Sequence, residues 1–340
     1  MKQIFYHINN PKDSSAERWI YEVWKDGFLS LGMKLTPISD SNFVSALKSV
    51  DEAVLMTDIC VLNLPKYSEF LSARRKTGLK TAAWVHWPLI KEINYNEKFF
   101  HGDGFADLYF GERENDGEAF IRDTGKKYVC IPHAASPRLH QSEINTSQCK
   151  WDIVYLGSRL PKKKWFEENI LYQLKKEKGL KVLIIGSGWK KNDSYLNLVR
   201  FILKRIKNKN LKALFDQMTV KIKPEEEGCL YRSAKICLNF HERDEYGSQP
   251  HYIVNSRTFK IPACGGFQIC DEVPAIRKYF SDQEVVMCPI NKQAWMQTIH
   301  YYLQNDIARV QIQQAGAKRA RLNHLSPSRC LQLLELLKLK

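Results

Sequence analysis

The 340-residue chain reads as an α/β protein made of two parallel-sheet domains. Three observations predict this. Short apolar runs alternate with helix-spaced segments along most of the chain, which is the rhythm of βα units. That rhythm breaks in the polar stretch "PHAASPRLHQSEINTSQCK" (132–150) and then restarts. The length also exceeds one comfortable core, while a composition of 44% hydrophobic and 11% aromatic residues is that of a folded globular protein.

The first series begins with the strand "QIFYHI" (3–8). The helix "SAERWIYEVWKDGFLSLG" follows, with Trp19, Ile20, Val23, Trp24, Phe28 and Leu31 at helical spacing. Ser14 or Ser15 caps it and Gly32 ends it. Strands are then expected at "MKLTPI", "ICVLNL" (59–64), "KTAAWVHW" (80–87), "ADLYFG" (106–111) and "KYVCIP" (127–132), with helical pieces such as "KYSEFLSARRKTG" between them. The stretch 132–150 is expected to link the domains.

The second series has strands at "WDIVYLGS" (151–158), "LKVLIIGSGW" (180–189), "MTVKIK" (218–223), "AKICLNFH" (234–241), "GGFQICD" (265–271) and "EVVMCP" (284–289). Helices are expected at "KKKWFEENILYQLKKEKG", "SYLNLVRFILKRIKNKNLKALFDQ", "PEEEGCLYRSA" and "NSRTFKIPA". Amphipathic helices close the chain. The predicted domains are 1–145 and 150–322, with a final helix in 323–340 folding back on the first domain.

Bulk properties narrow the function. No apolar run approaches the roughly 18–20 residues of a membrane span. The start "MKQIFYHINN" has no apolar core of a signal peptide, which predicts a cytoplasmic chain. Nine cysteines contain no C-x-x-C pair, which argues against a disulfide framework and a zinc site. The net charge of +15 is concentrated in 162–212, where fifteen Lys and Arg face four acids. Such a stretch suits an acidic partner, either phosphate or an anionic membrane surface on the inner face, or serves as a solvated face. A nucleic-acid partner is the weaker reading, because no helix-turn-helix, zinc or RNP pattern accompanies the charge.

In open parallel sheets, ligands sit beyond the C-terminal ends of the strands, at helix N-termini. Three loops of the second half occupy such places. "LGSRLPKKKW" carries Gly157, then Arg159 and Lys162–Lys164 leading into a helix, a pattern suited to a phosphate or diphosphate. "IIGSGWKK" carries Gly186 and Gly188, a sharp turn without the third glycine of a dinucleotide fingerprint. The third, "LNFHERDEYGSQPHYIVNSRTFKIPACGGFQICD", holds His241, Arg243, Tyr246 and Gly247 in a polar loop. Asn255, Arg257 and Lys260 then fall on one short helix before Cys264, Gly265 and Gly266. Gly265 is expected to end that helix in a left-handed conformation, and Gly266 to let the next strand pass close to a ligand or to pack tightly on the helix.

The stretch "AKICLNFHERDEYG…NSRTFKIPACGGFQICDEVPAIRKYF" resembles the C-terminal signature of bacterial glycosyltransferases of the GT-B fold (glycosyl transferases group 1-like), and within them the CgeB-like, spore-maturation group. The resemblance covers about 150–335. It implies two Rossmann-like domains facing across a cleft. It also implies a nucleotide-diphosphate sugar (UDP, GDP or dTDP type) bound mainly by the second domain and a glycan, lipid-linked glycan or other glycoconjugate acceptor bound mainly by the first, with no cofactor and no bound metal. Carried onto this chain, Arg159 and Lys164 fall where relatives contact the diphosphate. Asn255, Arg257 and Lys260 fall on the donor-site helix, and Cys264, Gly265 and Gly266 beside it. Many relatives carry a glutamate where this chain has Lys260, and that carboxylate accepts from the ribose hydroxyls, which a lysine cannot do. Ribose recognition from elsewhere, a different nucleotide, or lost transfer would each account for the change.

A leaving diphosphate gains negative charge, which Arg159, Lys164 and Arg257 are placed to stabilise. On the acceptor side, Asp13 and His86 sit at expected strand C-termini as candidates for the general base of an inverting displacement or for a sugar-positioning group in a retaining one. Other classes stay open: a nucleotide-sugar epimerase, a nucleic-acid-associated protein, or a non-catalytic nucleotide-sugar binder.

Overall fold

A computed structural model of the chain describes residues 3–9, 11, 16–48, 53–58, 67–85, 100–102, 104–140, 150–186, 188–189, 222, 224–242 and 254–339. Two compact units emerge, Met1–Pro132 with Ser326–Lys340, and His133–Leu325.

The first unit holds strands β1 (Ile4–His7), β2 (Leu35–Ile38), β3 (Val54–Asp58), β4 (Lys80–Trp84), β5 (Leu108–Gly111) and β6 (Tyr128–Cys130). They form one sheet in the order β2-β1-β3-β4-β5-β6, with every pairing parallel. Helices α1 (Ala16–Ser30), α2 (Phe43–Lys48), α3 (Tyr67–Thr77) and α4 (Glu114–Thr124) connect these strands. β3, whose "VLMTD" is buried at its first four positions, lies just upstream of the strand expected at 59–64, and 59–64 itself lies outside the described residues. Apolar side chains cover both faces, one side gathered around Phe43, Phe70, Phe105 and Phe120 and the other around Tyr21, Phe28 and Phe110. The last helix of the chain belongs to this second cluster through Cys330, Leu333 and Leu334.

In the second unit, β7 (Trp151–Leu156), β8 (Val182–Ile185), β9 (Ala234–Asn239), β10 (Gln268–Asp271) and β11 (Val286–Cys288) form a parallel sheet ordered β11-β10-β9-β7-β8. This part of the chain enters the sheet at β7, runs outward to the edge strand β8, then returns to the other side of β7 as the central strand β9. The order therefore reverses between β7 and β9, which opens a crevice at their C-terminal ends.

Around this sheet lie α5 (Pro137–His140), α6 (164–176), α7 (Pro224–Arg232), α8 (Arg257–Ala263), α9 (Lys292–Gln304) and α10 (Asp306–Asn323). Helix α6 contains a π turn at Glu167–Leu171. The closing helix α11 spans Ser326–Leu336. Part of the expected linker is built into this unit, because Ala135 bridges to Leu325 and α5 follows directly. The helix and strand expected at 194–223 lie outside the described residues, apart from Ile222.

Candidate functional site

The glycine pair after α8 has a conformational origin. Gly265 has a φ of +77°, and its N–H donates to Pro262 O at 2.7 Å while Gly266 N–H donates to Ile261 O at 2.9 Å. These two bonds make a Schellman turn, which satisfies carbonyls the helix end would leave open. A Cβ on Gly266 would stand 3.0 Å from Ile261 Cγ2 and 3.1 Å from Cys237 Sγ, so packing of α8 on β9 accounts for the second glycine. Cys264 is fully buried and burial pushes its thiol well up, so it is an apolar filler rather than a group that touches a ligand.

Arg257 opens α8 and reaches over the crevice. Its Nη1 donates to Leu156 O at the end of β7 (2.8 Å) and its Nη2 to Phe240 O just past β9 (3.3 Å). Its Nε donates to Asn239 Oδ1 (3.0 Å), and its guanidinium carbon lies 5.8 Å from the centre of the Tyr155 ring. Gly157 makes this reach possible, since a Cβ there would be 2.4 Å from Arg257 Nη1. Phe240 is held from below by a stacked contact with Phe166, 4.5 Å between ring centres. Of the five guanidinium N–H groups, three are committed among the described residues; one on each terminal nitrogen remains.

The loops after β7 and β8 lie against one another. A Cβ on Gly186 would fall on the Gly157 carbonyl, and Trp189 Nε1 donates to that same oxygen at 2.7 Å. Gly186 is thus required by loop packing rather than by a fingerprint spacing.

The basic cluster before α6 divides differently from expectation. Lys164 points outward, where it pairs loosely with Glu168 at 3.8 Å. Lys163 is the buried member, with Tyr155, Arg159, Phe166 and Trp189 around the same small recess. It has no ion pair among the described residues. Burial, then the Arg257 guanidinium, push its pKa down to about 7, against an opposing pull from Glu242 and Asp271. Sequence spacing missed this residue because a 3-10 turn at Pro161–Lys163 precedes the helix and rotates the cluster by one position. Arg159, half exposed, pairs through Nε with Glu167 Oε1 at 2.6 Å.

Lys260 departs from the site. It shares α8 with Arg257 three residues away, yet its Nζ lies 3.3 Å from Glu227 Oε2 on α7 in a buried pair. Arg257 is the first helical residue and turns back over the strand ends, so the two side chains diverge. Asn255 precedes the helix instead of lying on it, and its Nδ2 donates to Asn239 Oδ1 at 2.9 Å. His241 is buried, 2.7 Å from Asp271 Oδ1 through Nδ1 and 3.1 Å from Thr258 Oγ1 through Nε2. Tyr246 and Gly247 lie outside the described residues, as do Asp13 and His86.

In the first unit, the strand order reverses between β1 and β3, and polar groups gather there too. His7 Nδ1 is 3.0 Å from Thr57 Oγ1 and its Nε2 is 2.8 Å from Asp40 Oδ1. Both ring nitrogens of His7 are thus engaged within the unit. Among the described residues no helix is long and apolar enough to cross a membrane, and no group of three or more His, Cys, Asp or Glu could hold a metal ion.

A sequence model described as glycosyl transferase-like matches residues 162–335, just over half of the chain. No curated protein matches in sequence. Among solved structures, sucrose-phosphate synthase from Thermosynechococcus elongatus shares 12% identity at a TM-score of 0.64, over 99% of this chain and 98% of that one. HepE from Anabaena in complex with UDP and glucose shares 10% identity at 0.62, over 99% and 100%. An α-glucosyltransferase in complex with UDP shares 10% at 0.64, again over 99% and 100%. These likenesses are of fold, and they identify the two parallel α/β units as the GT-B architecture.

Proposed function

Because the chain belongs to the glycosyl transferase-like family, we propose that it transfers a sugar from a nucleotide-diphosphate sugar to a glycan, lipid-linked glycan or other glycoconjugate acceptor. The observation that carries this reading is Arg257 at the β7/β9 crevice, anchored by three hydrogen bonds with one N–H on each terminal nitrogen uncommitted. Two N–H groups on one guanidinium suit the oxygens of a diphosphate. Lys163 beside it adds an amine with no ion-pair partner among the described residues, which a bound diphosphate would hold in its protonated, cationic form. UDP is the first nucleotide to test, since two of the structures of like fold hold it.

In this account the bond between the anomeric carbon and the diphosphate breaks with both electrons leaving on the diphosphate. Arg257 and Lys163 stabilise that charge, with Arg159 at the rim, and no divalent cation is required. The acceptor hydroxyl forms the new bond and gives its proton to a base, for which Asp13 and His86 are the candidates. The spore-maturation type is the proposed subgroup, and the basic stretch 162–212 the proposed contact with an anionic membrane surface. Lys260, already paired with Glu227, leaves ribose recognition to other groups and gives no reason to expect lost transfer.

The test is release of nucleoside diphosphate from a panel of UDP-, GDP- and dTDP-sugars, with and without glycan acceptors and with EDTA present. One donor should turn over, and Arg257→Ala should lower its turnover by about 10²-fold or more. Loss of activity in EDTA would contradict the metal-independent mechanism, and turnover unchanged by Arg257→Ala would contradict the site.

A further inference from the structure

Behind Arg257, a line of buried polar groups runs from β10 to α8. Asp271, Thr258 and Asn239 are completely buried, and His241 almost so. Its directions follow from the two ends. Asp271 Oδ1 accepts from the His241 backbone N–H at 2.9 Å and lies 2.7 Å from His241 Nδ1. An ionised carboxylate only accepts, so Nδ1 carries the hydrogen.

At the other end, Arg257 Nε and Asn255 Nδ2 both donate to Asn239 Oδ1. That fixes the orientation of the Asn239 amide and turns its Nδ2 toward Thr258 Oγ1, 3.1 Å away. Thr258 receives this bond and has one hydrogen of its own, which it gives to His241 Nε2 at 3.1 Å. Each of these donors then meets an acceptor with no bond pointing the wrong way. In a dry site, a break anywhere leaves a buried group unsatisfied, so the line holds its members to one arrangement.

We infer that Asp271, His241, Thr258 and Asn239 form an oriented hydrogen-bond line that positions Arg257, keeping one N–H on each terminal nitrogen free for a bidentate anion. This rests on the proposed nucleotide-sugar reading for the identity of the anion. Asp271 and His241 touch no ligand in this account; they act through Thr258 and Asn239.

Thr258→Val removes the hydroxyl at nearly constant volume, and Thr258→Ser restores it. Nitrogen-15 spectra of histidine and arginine side chains, assigned with His241→Gln and Arg257→Lys, report the line without any ligand, and titration with UDP reports its effect on binding. The wild type should show the Nδ1–H tautomer of His241 and a slowly exchanging Arg257 Nε–H. Thr258→Val should lose the Arg257 protection and bind UDP about tenfold more weakly, with Thr258→Ser within about twofold of wild type. A folded Thr258→Val that keeps both the Arg257 signal and its UDP affinity would overturn the inference. So would a His241 protonated on Nε2, a result that needs no variant to fold. If the wild type binds no nucleoside diphosphate, the proposed function fails, and the two spectra still decide the line by themselves.

Discussion

Lys163 is where burial and the proposed function meet in one side chain. Burial and Arg257 hold its pKa at about 7, far below the usual value near 10.4. Above about pH 7 the folded protein has released a proton that the unfolded chain keeps, so the unfolded state binds more protons and stability rises with pH until about 10. The wild type should therefore gain on Lys163→Met by up to about 1.4 kcal/mol per pH unit across that window, measured by denaturant unfolding at pH 7 and pH 9. Parallel pH dependence in the two proteins would mean that the amine is solvated. The lysine cluster was legible in sequence as a phosphate-like feature. Which lysine turns inward was not, because that depends on the 3-10 turn after Leu160 and on Phe166 drawing the helix onto the core.

Loops after β7 and β8 show how glycine placement builds the crevice. Gly157 leaves the space that Arg257 Nη1 occupies, and Gly186 leaves the space for Gly157 itself. Gly157→Ala would set a Cβ 2.4 Å from Nη1, and since a guanidinium tip moves more easily than a strand, the arginine should yield. The expected outcome is a melting temperature within a few degrees of wild type and a UDP affinity reduced about tenfold or more, read by calorimetric titration. Unchanged affinity would show that Arg257 has room elsewhere. Sequence reading marked Gly157, Gly186 and the Gly265–Gly266 pair as significant, since local turn chemistry is written in residue type. It read Gly186 as a sharp turn and Gly265 as a helix end, and offered ligand approach for Gly157 and, beside tight packing, for Gly266, because the partners Arg257 and Cys237 come from distant segments that only the folded sheet brings near. The polar line through Asp271 and Thr258 was invisible for the same reason: neither residue is unusual where it stands in the chain.

Among the described residues two parallel sheets of six and five strands form, and their rhythm was readable from apolar runs alone. Strand order was not readable, yet it decides where the proposed site lies, because the reversal between β7 and β9 creates the crevice and α8 delivers Arg257 into it. Chain reach matters as well. The last helix packs on α1, where Gly27 leaves room for Cys330 and Ser326, although the preceding residues from His133 to Leu325 form the other unit. The central claim is that the crevice of the His133–Leu325 unit binds a nucleoside diphosphate through Arg257. Thermal unfolding of wild type and Arg257→Ala with UDP, GDP, dTDP, CMP and NAD in large excess tests it most directly. One diphosphate at about a hundred times its dissociation constant should stabilise the wild type by roughly 2.7 kcal/mol, several degrees in melting temperature, and should leave Arg257→Ala unmoved. A flat response of the wild type to all five, or an equal shift in the variant, would contradict it.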